Sequence, residues 1–282
     1  RAAAIFALLL FLKSQPLSNA IGNGQQSVFV LFLLISSIYI GDRTWPRTWQ
    51  GWGGLLKLQC LASPLLAGVA FVKYSFAPTY LIGFLRRYGK RFALLSLASC
   101  FAGYIVFCIR TGISPLNPFN FLQPVLVGTK FTAVMGAGDL LTLCKRLQCF
   151  PESYSSALYP LSLVLMVVAS VAVSRKANLL VYWSYLSVAS LVFVIHLPYD
   201  YVFYAFPLML SLRYWGLWSA KVLFGLSFYQ LYRGPFIKLL GLAAGTPVHW
   251  NSIEVVGITA LANLVALILL YKMSRDIPAV AH

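Results

Sequence analysis

Charge is what this chain has least of: 10% of its 282 residues are charged, and Asp and Glu number six against 22 Lys and Arg. With 60% hydrophobic residues and a mean hydropathy of +0.80, that scarcity excludes a soluble globular enzyme and a disordered tail. The formal net charge of +16 suggests nucleic acid only until the basic residues are located. They sit between apolar runs, where they serve membrane topology, so no nucleic-acid partner is expected. Histidine is nearly absent, with three residues, and the five Cys are scattered, so no metal-ligand spacing arises. No GxxxxGK[ST] or GxGxxG phosphate loop is present either, which leaves ATP-driven transport and dinucleotide chemistry without support.

What is present is a succession of long apolar segments. They are too long and too uniformly apolar for barrel strands, so the expected fold class is all-α, a polytopic transmembrane helical bundle. Arg1 leads directly into Ala2–Leu12, which is too short to cross a bilayer and reads as the remainder of a truncated first helix. A signal peptide fits less well, because no small-x-small cleavage site follows. Ser14–Gln26 reads as a polar, turn-rich loop, followed by an apolar run over Ser27–Ile40 and a belt of Trp45, Trp49 and Trp52 beside Arg43 and Arg47. The apolar region Leu55–Leu85 exceeds one crossing; Lys73 and Pro78 divide it into a span, Leu55–Val72, and a returning segment, Ser75–Leu85. Further runs occupy Phe92–Ile109, Ser156–Ser174, Leu179–Ile195, Tyr201–Leu212, Trp215–Leu231 and Ile253–Tyr271. The expectation is roughly eight or nine helical membrane segments in a single transmembrane domain over residues 1–282.

Threading these segments alternately gathers Arg43, Arg47, Arg86, Arg87, Lys90, Arg91, Arg175, Lys176, Arg213, Lys272 and Arg275 on one face, which the positive-inside rule makes cytoplasmic. The Gly24-Gln25 loop, the long Pro-rich connection from Arg110 to Tyr154 and the break at His196–Asp200 then fall on the outer face. In that outer connection Cys144 and Cys149 flank Lys-Arg-Leu-Gln, where a disulfide is geometrically possible and two free thiols are the plainer alternative.

The few carboxylates can be weighed singly. Asp42 and Asp276 stand beside Arg43 and Arg275, where a solvated ion pair is expected. Asp139 and Glu152 fall on the long outer loop, and Glu254 opens the last helix, where an acid suits the N-terminal dipole. Asp200 stands apart, because it shares a break between two apolar stretches with His196 and Tyr199, and ionisable groups there are costly unless they line a polar cavity. Pro198 disfavours regular helix through the pair, so both side chains can face one pocket. Lys73, which closes an apolar run, either snorkels to the interface or supplies a fixed cation for an anionic lipid headgroup.

Three stretches taken together, Pro16 with Gly24-Gln25-Gln26-Ser27, Lys73-Tyr74-Ser75-Phe76-Ala77-Pro78 before Arg86-Arg87, and His196-Leu197-Pro198-Tyr199-Asp200-Tyr201-Val202, resemble glycosyltransferase family 87 in order and spacing. The resemblance runs from Pro16 to about Arg213. It implies a GT-C fold and transfer of a hexose, mannose above all, from a polyprenyl-phosphate-linked donor to a glycolipid or glycan acceptor hydroxyl. It also implies a bacterial inner membrane with the site on its periplasmic side, membrane lipid as surroundings, and no cofactor or metal. The substrate-binding candidates it implies are His196, Tyr199, Asp200, Lys73, Gln25, Arg110 and Arg233. Lys73, His196 and Arg110 or Arg233 would stabilise the leaving phosphate, and Asp200 would orient His196. The family places its catalytic carboxylate in the first outer loop, so the general base is expected upstream of Arg1, and no catalytic residue is named.

Two readings from other classes remain. A transporter or lipid flippase would use the interruptions near Lys73–Pro78 and His196–Asp200 as a site between broken helices, although no internal repeat relates them. A non-catalytic scaffold subunit would use the same breaks for assembly.

Overall fold

The structure, a computed structural model, describes residues 2–22, 26–45, 58–71, 73, 75–116, 138–149, 155–194, 196, 198–249 and 252–277. Among these every regular element is a helix. In chain order they are α1 (Ala2–Leu12), α2 (Gln15–Gly22), α3 (Ser27–Thr44), α4 (Leu58–Ala70), α5 (Ala77–Tyr88), α6 (Lys90–Thr111), α7 (Leu140–Arg146), α8 (Ser155–Ala172) and α9 (Leu179–Phe193). A 3-10 segment (Pro198–Tyr204) follows, then α10 (Ala205–Arg213), α11 (Trp218–Leu231), α12 (Arg233–Ala244) and α13 (Ile253–Asp276).

Three of these helices, α3, α6 and α13, are long and apolar enough to cross a membrane. Shorter apolar helices lie at Cys60–Ala70, Pro160–Ala172 and Leu179–Phe193. Large apolar side chains are exposed along α3 (Phe29, Phe32), α6 (Leu94, Phe101, Val106, Ile109) and α8 (Val164, Val168). Water penalises such faces and hydrocarbon does not, so the helical bundle is compatible with a membrane protein.

The chain forms two compact units, residues 26–128 and residues 1–25 with 129–282. In the first, α3 packs on α4, and α4 and α5 pack on α6. Small residues permit the approach. Ser37 Oγ donates to the Ser63 carbonyl (2.8 Å) and Ser63 Oγ donates to the Ser37 carbonyl (2.7 Å), tying α3 to α4. A Cβ on Gly68 would lie 2.3 Å from the Ser96 carbonyl oxygen of α6, so this α4–α6 crossing requires glycine. The break between α4 and α5 agrees with dividing Leu55–Leu85 in two.

In the second unit α9 is buried all round, with every residue from Val181 to Val192 inside, against α8, α10, α13 and the 3-10 segment. α1 packs on α10, α2 on the 3-10 segment, α7 and α11 on α13.

Several local expectations change. Ser14–Gln26 reads as a loop, and Tyr232–Ser252 only as the stretch between two apolar runs, yet they contain α2 and α12. Pro16 and Pro235 both fall in a first helical turn, where a missing N–H removes no intrahelical bond, so proline begins these helices instead of preventing them. Trp45 is core: it is buried, its indole Nε1 donates to the Tyr88 carbonyl (2.9 Å), and its ring meets Phe92 edge-on. Trp49 and Trp52 lie outside the described residues. Asp42 pairs with Arg87 (3.3 Å), and its sequence neighbour Arg43 stacks over Tyr39 at 3.8 Å. Arg275 likewise donates to the Tyr271 hydroxyl (2.6 Å). One helical turn aligns Arg43 with Tyr39 and Arg275 with Tyr271, whereas adjacent residues diverge around the axis. Cys144 and Cys149 are free thiols.

Candidate functional site

The polar core of the second unit begins where α9 ends. Pro198 cannot supply an N–H to continue α9, and the chain leaves the helix at Val194 in an extended conformation before the 3-10 segment. His196 lies in that break and is 2% exposed; Asp200, in the first 3-10 turn, is 1% exposed. His196 Nδ1 is 3.1 Å from the Val194 carbonyl oxygen. A carbonyl only accepts, so Nδ1 carries the proton and the neutral ring presents a lone pair at Nε2. Nε2 is buried and meets no hydrogen-bond partner among the described residues.

Tyr201 joins the other groups to this ring. Its ring packs against His196 at 5.0 Å and 84° and lies 4.8 Å beneath the Arg233 guanidinium. Its hydroxyl accepts from the Gly138 N–H at 3.2 Å. A Cβ at Gly138 would fall 2.2 Å from Thr259 Cγ2, so only glycine allows this backbone so close to α13. The next residue, Asp139, caps α7: Oδ1 accepts from the Thr142 N–H and Oδ2 from the Thr142 hydroxyl, both at 2.7 Å.

Arg233 is 2% exposed at the start of α12, and its Nη1 donates to Thr259 Oγ1 (3.1 Å). Gln15 of α2 accepts from the Gly234 N–H (2.9 Å), satisfying an amide that the first turn of α12 leaves open. On α13, Asn263 accepts from the Tyr204 hydroxyl (2.7 Å) and from Gln230 Nε2 (2.9 Å), and donates to the Gly138 carbonyl (2.9 Å). One amide side chain thus ties together the 3-10 segment, α11 and the approach to α7.

The charges act on one another across this core. Burial holds the His196 imidazolium below the usual histidine range and Arg233 adds to that, while Asp139, Asp200 and the Val194 carbonyl oppose it. Burial pushes the Asp139 carboxyl up, against the pull of His196 and the two bonds from Thr142. The arrangement therefore places a neutral imidazole with an unpartnered Nε2, two carboxyl groups and a guanidinium in one buried core.

Of the residues singled out from the sequence, His196, Asp200 and Arg233 are buried in this unit, with Tyr199 half-buried at the start of the 3-10 segment. Lys73 and Arg110 belong to the other unit. Lys73 is half-buried in the turn before α5, where its carbonyl accepts from the N–H groups of Phe76 (3.2 Å) and Ala77 (3.1 Å); Arg110 is exposed on the last turn of α6. Gln25 lies outside the described residues. Arg233 is no loop residue but opens a helix, and Asp139, read as part of an outer loop, is fully buried beside this core. Its signal was present: Gly138-Asp139 before an apolar run with Thr142 is an N-cap pattern. Asn263 and Gln230 were also missed, although an amide within an apolar helix is costly without a partner. Comparisons with protein-family models, with curated proteins and with solved structures each gave no match.

Proposed function

We propose that this protein is an integral-membrane glycosyltransferase that moves a hexose, mannose above all, from a polyprenyl-phosphate donor to an acceptor hydroxyl on the outer face of the membrane. The observation that carries this reading is the burial of His196, Asp200, Asp139 and Arg233 around a helix break in an otherwise apolar bundle. Buried ionisable groups in such surroundings are expensive, and a reaction that leaves a phosphate while removing a proton uses a cation and a base together. The order and spacing of the Gly24-Gln25, Lys73 and His196–Tyr201 stretches support the same class. In this reading Arg233 faces the phosphate, and Asp200 and Tyr199 contact sugar hydroxyls or hold His196 in place.

The test is transfer of radiolabelled mannose from polyprenyl-phosphate mannose to endogenous glycolipid by the complete protein in proteoliposomes. His196→Ala and Asp200→Asn are expected to lose about 100-fold or more of the activity. Full transfer by both variants would overturn the site. A transport reading draws on the interruptions at residues 71–76 and 194–204 and predicts lipid flux without any new glycosidic bond in the same vesicles.

A further inference from the structure

We propose that Cys144 and Cys149 close to a reversible disulfide that locks the C-terminal end of α7. The inference is independent of the transferase reading above, and the structure holds the pair in its reduced state.

The backbone builds the site. Past Leu147 the chain closes α7 with two bonds: the Cys149 N–H donates to the Cys144 carbonyl (3.0 Å) and the Gln148 N–H to the Lys145 carbonyl (3.3 Å). In this left-handed helix ending, the residue that turns the chain is usually glycine, and the residues joined by the longer loop bring their side chains together in an apolar contact. Here Gln148 turns the chain with a φ of 51°, the one non-glycine residue with positive φ among those described, and two cysteines hold the facing places. The 3.0 Å bond keeps the two Cα atoms within about 7 Å of each other, and disulfides span about 4.4–6.8 Å. The thiols meet as well: burial first, then the charge and hydrogen bonding of the Cys149 thiol, then Asp139, hold the Cys144 thiol above the usual cysteine range.

What the bond would fix follows from the length of α7. Its seven residues are too few to hold by their own backbone bonds, so its ends decide whether it persists. Asp139 and Thr142 close the first turn, and the cysteines close the last. Because α7 packs on α8, α9 and α13, fixing its far end steadies the element that carries Asp139 beside the polar core. Exposure sets the order of the chemistry, since Cys149 is exposed and Cys144 half-buried. The oxidant is a second disulfide, of a small thiol or of another protein. The Cys149 thiolate attacks one of its sulfurs and expels a thiolate, which leaves a mixed disulfide on Cys149. Cys144 then loses its proton to water and attacks the Cys149 sulfur, expelling the second thiolate. The pair gives up two electrons and two protons, and the external disulfide is reduced to two thiols. The negative end of the α7 dipole disfavours a thiolate at this place, which favours the closed bond over the reduced pair.

The experiment equilibrates the complete protein in nanodiscs with mixtures of reduced and oxidised glutathione, quenches with acid, alkylates and digests. Trypsin cuts after Lys145 and Arg146, between the two cysteines, so the bridge is read as two linked peptides. It should form within one chain, with an effective thiol concentration about 10-fold or more above that of the same protein in concentrated urea. Gln148→Gly should keep this advantage, and Gln148→Val, whose branched side chain resists positive φ, should lose most of it. In the closed form the amide hydrogens of residues 147–149 should exchange about 10-fold more slowly than in the reduced form. A glutathione adduct on Cys149 with Cys144 still alkylated, a bridge that forms no more readily in the native than in the unfolded protein, or an advantage that Gln148→Val keeps in full overturns the pair as a site built by the fold. Unchanged exchange in the closed form overturns the lock.

Discussion

At the scale of single residues, Asn263 is the most heavily used side chain of the core. Replacing it with Leu strands the Tyr204 hydroxyl, one Gln230 donor and the Gly138 carbonyl together, and buried polar groups without partners cost about 1–3 kcal/mol each. Asn263→Leu should therefore lower stability by about 3 kcal/mol or more in detergent unfolding, whereas Tyr204→Phe, which leaves Asn263 bonded to Gln230, should cost about 1 kcal/mol. His196 adds a pH term. Its imidazolium is disfavoured in the folded state, so the unfolded chain binds the proton first as pH falls below about 6.5. Stability should decline with acid through that window and should decline less in His196→Gln, measured by urea midpoints at several pH values. Asp139, whose carboxyl is pushed up, works in the opposite sense, since the folded state takes its proton first as pH falls. His196 and Asp200 were legible in the sequence because Pro198 marks a break that ionisable residues share. Asp139 was not, because burial of a loop-flanking acid depends on Gly138 admitting the backbone against α13, a contact made far along the chain.

Helices in this chain meet through small residues and serines, and the α4–α6 crossing depends on one hydrogen atom at Gly68. Gly68→Val places side-chain atoms inside Ser96 and Ser99, so it should separate the two helices and lower the thermal midpoint of the purified protein by several degrees. The apolar runs form α3, α6, α8, α9, α11 and α13, of which α3, α6 and α13 are long and apolar enough to cross a membrane, fewer among the described residues than the eight or nine segments expected. The helices α2 and α12 were not legible, because both begin with the residues that also mark turns, Gln15-Pro16 and Arg233-Gly234-Pro235, and local pattern does not separate a first turn from a loop. Trp45 shows the same limit for a side chain. Its place beside Arg43 suggests an interface, but the Tyr88 carbonyl and Phe92 draw it inward.

For the whole molecule, the positive-inside reading of the basic residues gives an expected sidedness that labelling can test. Lys90→Cys and Arg175→Cys, both at exposed positions in a background without native cysteine, should react with an impermeant maleimide from the cytoplasmic side only. Labelling of the two positions from opposite sides would reject the alternating thread. The division into two units also bears on how the chain is made. Residues 26–128 form an uninterrupted stretch, so their contacts are complete soon after that stretch leaves the ribosome. The other unit joins α1 and α2 to elements beyond residue 129, and α9, with Ser184, Ser187 and Ser190 all buried, rests on α13, the last helix described. Until α13 is synthesised, α9 lacks one wall, and α1 and α2 lack the partners that follow residue 129. The unit that carries the polar core therefore completes its contacts later in synthesis than the unit of residues 26–128.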